Sequence, residues 1–145
     1  VREHIVGIMS AVVTGSINGV VSVYLFCPLL GLDEMFIRSL EAKSVTSPIA
    51  MDITRSIGGD ASLAVVSVIL SGFIGAVIGP AVMKFLRIKD PVARGLAMGC
   101  SSHGLGTARA IELGAVEGAV SGLSIALMGV LTSLIVPLFN LLVGF

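Results

Sequence analysis

Three long stretches of the sequence contain no charged side chain, and they constrain the fold more than any other feature. No Asp, Glu, Lys or Arg occurs in residues 5–32, 61–83 or 118–145. A helix needs about 20 predominantly apolar residues to cross the hydrocarbon core of a bilayer. None of the stretches alternates polar and apolar residues as a strand of a transmembrane barrel would. The sequence therefore predicts an all-α integral membrane protein with three spanning helices in a lipid bilayer.

Composition excludes several other classes of protein. Charged residues make up 12% of the chain and the net charge is zero, whereas soluble domains carry about 25% charged residues. A neutral chain offers no basic surface for nucleic acid. The two histidines, His4 and His103, and the two cysteines, Cys27 and Cys100, lack the spacing of a metal site. We therefore predict no nucleic-acid partner and no metal site.

The sequence contains two partial matches to enzyme motifs, and both are incomplete. The Gly104-Leu-Gly106 sequence lacks the third glycine and the preceding strand of a dinucleotide-binding fold. Ser102 and His103 are neighbours in the chain, and no spacing places an aspartate behind the histidine as a catalytic triad requires. The sequence therefore predicts a protein that is not an enzyme and has no cofactor.

Two segments, residues 33–60 and 95–117, are too polar for simple spans and too apolar for loops. In the first, Pro48 breaks any preceding helix, and Ser47 is predicted to cap a short helix over residues 49–57 that Gly58 and Gly59 end. Asp60 is placed to cap the next span. In the second, residues 101–106 are predicted to form a flexible break, with Thr107 capping a short helix over residues 108–113 before Gly114.

The two segments and the spans that follow them form a predicted internal repeat. An offset of 57 residues superposes Ser44 on Ser101 and Asp60 on Glu117 without gaps. We place repeat 1 at about residues 33–86 and repeat 2 at about residues 92–143, within a single membrane domain over residues 1–145. Two topologies stay open: broken segments that cross the membrane fully give parallel repeats, and re-entrant hairpins give inverted repeats. We favour inverted repeats because they bring both breaks together at mid-membrane.

Each short helix carries one acid and one base, with the order reversed between the repeats. These charge pairs are Asp52 with Arg55 and Arg109 with Glu112. Residues three apart can pair within one helix. Alternatively, Asp52 meets Arg109 and Arg55 meets Glu112 across a repeat interface, or all four are solvated at the membrane surface.

Hydroxyl groups and one imidazole cluster at the two breaks, and they are the candidate substrate-binding residues. Free backbone N–H groups and the helix dipole favour an anion at helix starts. Capping of broken backbone is the competing explanation for the hydroxyls, and His103 is either a proton-coupling group, a hydrogen-bond donor or structural. The predicted site comprises Ser44, Thr46, Ser47, Ser101, Ser102, His103, Thr107 and Arg109.

Several motifs in order resemble the LrgB/CidB family. They are Lys43-Ser-Val-Thr-Ser-Pro-Ile-Ala-Met51, Ser56-Ile-Gly-Gly59, Ala93-Arg-Gly-Leu-Ala-Met-Gly99, Ser102-His-Gly-Leu-Gly-Thr-Ala-Arg109 and Glu117-Gly-Ala119. The resemblance runs from about residue 35 to the C-terminus. Bacterial members usually carry additional N-terminal spans, so we expect this sequence to be the C-terminal part of a longer chain.

The resemblance implies two functions of different kinds. Bacterial members are described as antiholin-like or holin-like regulators of murein hydrolase export and autolysis, acting with a small membrane protein of the LrgA/CidA type. A plant plastid relative is a glycolate/glycerate transporter, and some bacterial pairs are linked to pyruvate uptake. We expect a transporter of small monocarboxylates, because a lytic pore does not need two anion-ready breaks. We also expect a homo-oligomer in the bacterial inner membrane, with antiholin-like regulation as the alternative.

Overall fold

The computed structural model describes residues 4–144, and within that range the chain forms six α-helices and no strand. Three of them, α1, α4 and α6, are long and apolar enough to cross a membrane, which confirms the predicted spans. The helices are α1 (Ile5–Leu29), α2 (Glu34–Leu40), α3 (Ser47–Ser56), α4 (Ala61–Phe85), α5 (Pro91–Leu113) and α6 (Ala115–Val143).

The first broken segment folds as a hairpin of two short helices, α2 and α3. Arg38 Nη1, near the end of α2, donates to the Ile57 carbonyl at the end of α3 at 2.9 Å. Ser39 Oγ accepts from the Asp60 N–H at 2.8 Å. The end of α3 thus returns to the last turns of α2, and the turn at residues 41–46 forms the hairpin tip. We call α2, this turn and α3 the first hairpin.

The second broken segment is also a hairpin, because α5 reverses direction at His103. This residue has φ 36° and ψ −122°, which no helix contains. Met98 and Ala110 lie in one buried cluster, although 12 residues of straight helix would separate them by about 18 Å. Gly106 lies against the Met98 carbonyl, where a Cβ would collide with it. We call α5 the second hairpin, with His103 at its tip.

The two hairpins enter the helix bundle from opposite faces. The first hairpin joins the end of α1 to the start of α4, and the second joins the end of α4 to the start of α6. Because α4 runs from one face to the other, each hairpin begins and ends at its own face. Re-entrant hairpins, rather than full crossings, are therefore the form of both broken segments. The boundaries of the internal repeat stay a prediction.

Local boundaries differ from the sequence prediction at both helix starts. Helix α3 begins at Ser47 with extended Thr46 as its N-cap, so the predicted cap is wrong by one residue. In α5 only His103 leaves helical geometry, so the predicted flexible break over residues 101–106 is wrong. A single residue with positive φ reverses the chain, and the residues on either side stay helical.

Other termini follow the prediction. Asp60 caps α4 by accepting from the Ser62 N–H at 2.7 Å and the Leu63 N–H at 3.0 Å. The N–H groups of Leu63 and Ser62 hold the pKa of the Asp60 carboxyl below its usual range, since they stabilise its charged form. Gly114, with φ and ψ both 163°, separates α5 from α6.

Candidate functional site

The tips of the two hairpins meet beside the middle of α4 and form an open-sided cavity of about 300 Å³. Its lining combines hydroxyls, an imidazole and aliphatic side chains. The lining residues are Thr46, Ser47, Val68, Ile69, His103, Gly104 and Leu105. Val68 and Ile69 lie seven and eight residues beyond Ala61, the start of α4, which is about 11–12 Å along the helix axis. The cavity therefore lies part-way along α4, at a depth that fits the inverted topology, and it opens to the side of the bundle past the exposed side chains of Ile69 and Leu105.

A chain of polar contacts joins the two tips through Ser71 of α4. Ser71 Oγ lies 3.1 Å from the carbonyl oxygen of Lys43 in the first hairpin. The same oxygen lies 3.4 Å from His103 Nε2 in the second hairpin. Ser71 Oγ lies equally close, 3.1 Å, to the Val68 carbonyl of its own helix. A hydroxyl has one proton, so donation to either carbonyl leaves Ser71 to accept from the imidazole. In that arrangement Nε2 carries the ring proton.

Gly72 of α4 leaves the space that the His103 imidazole occupies beside Ser71. An ideal Cβ built at Gly72 would lie 2.6 Å from His103 Cε1, closer than carbon atoms approach. His103 is 4% exposed, so its ring is held between α4 and the second hairpin. Two further glycines of α4 allow similarly close contacts: Ser102 packs against Gly75, and Met98 packs against Gly79.

The start of α3 faces the cavity with its N-cap side chain unused for capping. Thr46 makes no side-chain hydrogen bond to the helix. Thr46 and Ser47 both line the cavity, and Ser47, the cap predicted from the sequence, is instead the first residue of the helix. Helix starts carry unsatisfied N–H groups and the positive end of the helix dipole. The arrangement presents hydrogen-bond donors to a small polar or anionic solute.

Three other predicted site residues lie near the tips but do not line the cavity. Ser44 packs against α1, where an ideal Cβ at Gly19 would lie 2.9 Å from its Oγ. Ser101 Oγ donates to the Ala97 carbonyl at 2.7 Å. Ser102 is fully buried and exchanges a hydrogen bond with Ser101 at 2.9 Å. Ser44 and Ser102 thus pack closely against glycines of α1 and α4, and Ser101 satisfies a carbonyl of its own helix.

Thr107 and Arg109 lie outside the cavity. Thr107 is inside the returning half of α5 and its hydroxyl bonds to Ser121 Oγ of α6 at 2.6 Å, so it does not cap a helix. Arg109 is exposed and pairs with Glu112. Because the second half of the hairpin starts immediately after His103, both residues lie further from the tip than the sequence suggested. No lysine or arginine is among the residues found to line the cavity.

The charge pairs close within their own helices. Asp52 and Arg55 are 3.7 Å apart, with 82% and 60% of their side chains exposed. Arg109 pairs with Glu112, and these side chains are also largely exposed. Across residues 4–144 no ion pair joins Asp52 to Arg109 or Arg55 to Glu112, so the alternative pairing across the repeats is absent.

Sequence reasoning missed three polar features of the bundle. Ser71 was overlooked because it is one hydroxyl within an apolar span. Glu117 is 7% exposed at its side chain and pairs with Arg94 at 3.2 Å, which joins the second hairpin to α6. Glu41, which the sequence analysis did not single out, is fully buried beside α6. A charged residue between apolar neighbours, Leu40 and Ala42, was the signal that could have identified it.

The chain is similar to proteins of one family over nearly its whole length. The model of the LrgB-like family matches residues 1–142. An antiholin-like protein LrgB of Bacillus mycoides is 38% identical over 94% of this chain and 60% of its own length. A Bacillus cereus protein of the same name is 36% identical, and the uncharacterized protein YxaC of Bacillus subtilis is 38% identical, each over 94% of this chain.

The chain spans about three fifths of the length of these relatives. No solved structure matches it. The family match agrees with the resemblance found in the sequence motifs, and the three apolar helices agree with a protein that crosses the membrane more than once. The chain belongs to the LrgB-like family.

Proposed function

We propose that this protein is a membrane carrier for small monocarboxylates such as pyruvate or glycolate. The observation that supports the proposal is the cavity of about 300 Å³ where the two hairpin tips meet. Its volume is at the lower end of the roughly 300–1,000 Å³ typical of ligand pockets, which suits a small solute. Carriers commonly bind substrate near mid-membrane, between interrupted helices of opposite orientation.

The chemistry of the cavity suits weak binding of a carboxylate. Thr46 and Ser47 supply hydroxyl donors at a helix start, and His103 lies across the cavity, where it adds a second donor to a carboxylate when Nδ1 is protonated as well as Nε2. Donors at helix termini favour negative charge. Without a lysine or arginine at the cavity wall, binding rests on the hydroxyls, on His103 and on the helix dipole. Weak binding suits a carrier because substrate must also leave.

Two hairpins that enter from opposite faces suit alternating access. Movement of either hairpin relative to α4 would open the cavity toward one face while the other hairpin keeps it closed. The Ser71 contacts with Lys43 and His103 are the links that would break and re-form during this movement. We further propose that the full-length protein works in the bacterial inner membrane, as a homo-oligomer and with a small partner of the LrgA/CidA type.

Antiholin-like regulation is the second candidate. Two of the relatives described above carry the name antiholin-like protein LrgB, and that name favours regulation over transport. In this case the protein would control a holin-type partner through contacts within the membrane. The cavity would then have no transported ligand. The exposed apolar faces of the bundle, rather than its interior, would bind the partner.

Uptake into liposomes distinguishes the two functions. The full-length protein, with and without its small partner, would be reconstituted and supplied with labelled pyruvate. A carrier shows saturable uptake that unlabelled glycolate inhibits, whereas a holin-type pore releases unrelated solutes such as sucrose. Absence of uptake in every arm, together with restored control of autolysis in cells, would favour the regulatory function.

Two substitutions test the cavity itself. Thr46→Val removes a hydroxyl at nearly constant volume, and His103→Gln keeps a polar side chain. Both should raise the half-saturation constant for pyruvate while the protein still inserts into membranes. Thr14→Val is the matched control, because Thr14 lines a different groove between α1 and α5. Unchanged uptake kinetics in both cavity variants would place the binding site elsewhere.

A further inference from the structure

A buried acid and a buried amide form a second polar site away from the tip cavity. Glu41, in the turn after α2, is fully buried, and Asn140 of α6 is 5% exposed. Asn140 Nδ2 donates to Glu41 Oε2. It also lies 3.0 Å from the Val136 carbonyl, one turn earlier in α6. The pair joins the first hairpin to the last span.

Each member of the pair keeps one oxygen without a hydrogen-bond partner. Glu41 Oε1 and Asn140 Oδ1 are both buried and unpartnered. A buried polar atom without a partner costs about 1–3 kcal/mol, and more if it is charged. Both orphan atoms are acceptors, so no rotation of the two side chains lets one satisfy the other. The site lacks one donor.

The charged groups around Glu41 do not supply that donor. Arg38 of α2 is the cation whose charge acts on Glu41, but its Nη1 donates to the Ile57 carbonyl at 2.9 Å and its Nη2 pairs with Glu34. Lys43 Nζ donates to the Gly19 carbonyl at 3.1 Å and lies 3.4 Å from Ser22 Oγ.

Other neighbouring elements contribute little charge to the acid. The titratable neighbour on α1 is the buried thiol of Cys27. From α6 the contact is the neutral Asn140 amide. Among the described residues, the four ion pairs do not include Glu41. An ionised carboxylate here would stay buried with the Asn140 N–H as its hydrogen-bond donor, and removing such a charge from water costs several kcal/mol that the field of Arg38 offsets only in part.

We propose that Glu41 and Asn140 form a proton-binding site. A proton on Glu41 Oε1 makes this oxygen a donor, and Asn140 Oδ1 on the facing amide is its acceptor. Together with the existing Asn140 Nδ2 bond to Oε2, this closes a cyclic acid–amide pair that satisfies both orphan atoms. Loss of the proton to water leaves a carboxylate that keeps only the Asn140 N–H. The inference rests on these two residues and does not depend on what the protein carries.

A route for the proton exists on the Asn140 side. A cavity of about 410 Å³ is lined by Arg38, Ser56, Ile57, Gly58, Pro137, Asn140 and Leu141. It lies at the open end of the first hairpin, where α2 and α3 meet. The protonated site would communicate with one face of the membrane through this cavity, since polar groups and space for water occur together there.

Infrared spectroscopy of the full-length protein in nanodiscs tests the proposal. At neutral pH the parent should show the carbonyl stretch of a protonated carboxylic acid, with a shift in D2O. Glu41→Gln should remove this band, and Glu112→Gln, which alters an exposed acid, should keep it. Glu41→Gln should also fold with the parent's melting temperature, because its amide donates to Asn140 Oδ1 as the protonated acid does.

Three results would overturn the proton site. A parent spectrum without the band, or a band that persists in Glu41→Gln, means that Glu41 is ionised or that another acid carries the proton. If the parent is stabilised by sodium chloride over choline chloride and Glu41→Gln is not, the two oxygens hold a metal cation instead. Both measurements are independent of uptake, so they distinguish failure of this site from failure of the proposed carrier function.

Discussion

Gly72 and His103 fit together so closely that any side chain at Gly72 would displace the imidazole. An ideal Cβ at Gly72 would lie 2.6 Å from His103 Cε1 and 3.2 Å from Nδ1. The contact fixes the tip of the second hairpin against the middle of α4. It also keeps His103 Nε2 within 3.4 Å of Ser71 Oγ. One glycine thus sets the position of the histidine at the cavity.

We predict that Gly72→Ala destabilises the protein by about 1–3 kcal/mol, the usual cost of overpacking a filled site. Gly122→Ala is the matched control, since Gly122 lies inside α6, two turns from its start, and a Cβ there meets nothing within 4 Å. There, the gain in helix propensity should stabilise by about 0.5–1 kcal/mol. Thermal unfolding in detergent compares the two. Equal melting temperatures would mean that the imidazole is free to move aside.

Substitution of Thr107 tests whether this residue stabilises the fold or binds substrate. Thr107→Val leaves Ser121 Oγ buried without its partner at 2.6 Å, which should cost about 1–3 kcal/mol of stability. Because Thr107 lies outside the cavity, the half-saturation constant of uptake should not change, unlike that of Thr46→Val. The double variant Thr107→Val with Ser121→Ala should recover much of the lost stability. A changed half-saturation constant for Thr107→Val alone would contradict this placement.

The charge pairs should behave as surface groups. Exposed ion pairs contribute about 0–1 kcal/mol, so Asp52→Asn should change the melting temperature little. The exchange of Asp52→Arg with Arg109→Asp should recover nothing, because each residue pairs within its own helix. Glu117→Gln should cost more, since its side chain is 7% exposed and holds Arg94. A large loss for Asp52→Asn would indicate a buried partner in an assembly.

The sequence predicts those parts of the fold that depend on composition and local chemistry. Charge-free stretches identify α1, α4 and α6, and Asp60 identifies the start of α4, because both signals act within one helix. The reversal at His103 could not be located, since positive φ is expected at Gly104 or Gly106 before histidine. Its cause is tertiary: the close contact with Gly72 holds the turn at this residue. The burial of Glu41 likewise depends on Asn140, which is distant in sequence.

Membrane orientation follows from the loop between α4 and α5. Residues 84–94 contain Lys84, Arg87, Lys89 and Arg94 against one acid, Asp90, and cytoplasmic loops carry such a basic excess. In a variant without Cys27 and Cys100, Lys89→Cys should therefore resist impermeant thiol reagents added to intact cells. Leu30→Cys, at the opposite end of the bundle and 75% exposed, is the matched control and should react. The reverse labelling pattern would invert the topology.

Glu41 should couple transport to protons if both the carrier and the proton site are correct. A proton bound between the first hairpin and α6 neutralises a carboxylate that would otherwise lie unpaired when the two elements close on one another. An inward proton gradient should then drive accumulation of labelled pyruvate by the parent in liposomes. Glu41→Gln mimics the permanently protonated acid, so it should still exchange labelled for unlabelled pyruvate but should lose accumulation driven by the gradient. Glu112→Gln, an exposed acid paired with Arg109, should keep both activities. Gradient-driven accumulation in Glu41→Gln would show that the coupling proton binds elsewhere, whereas a parent without exchange would contradict the carrier function itself.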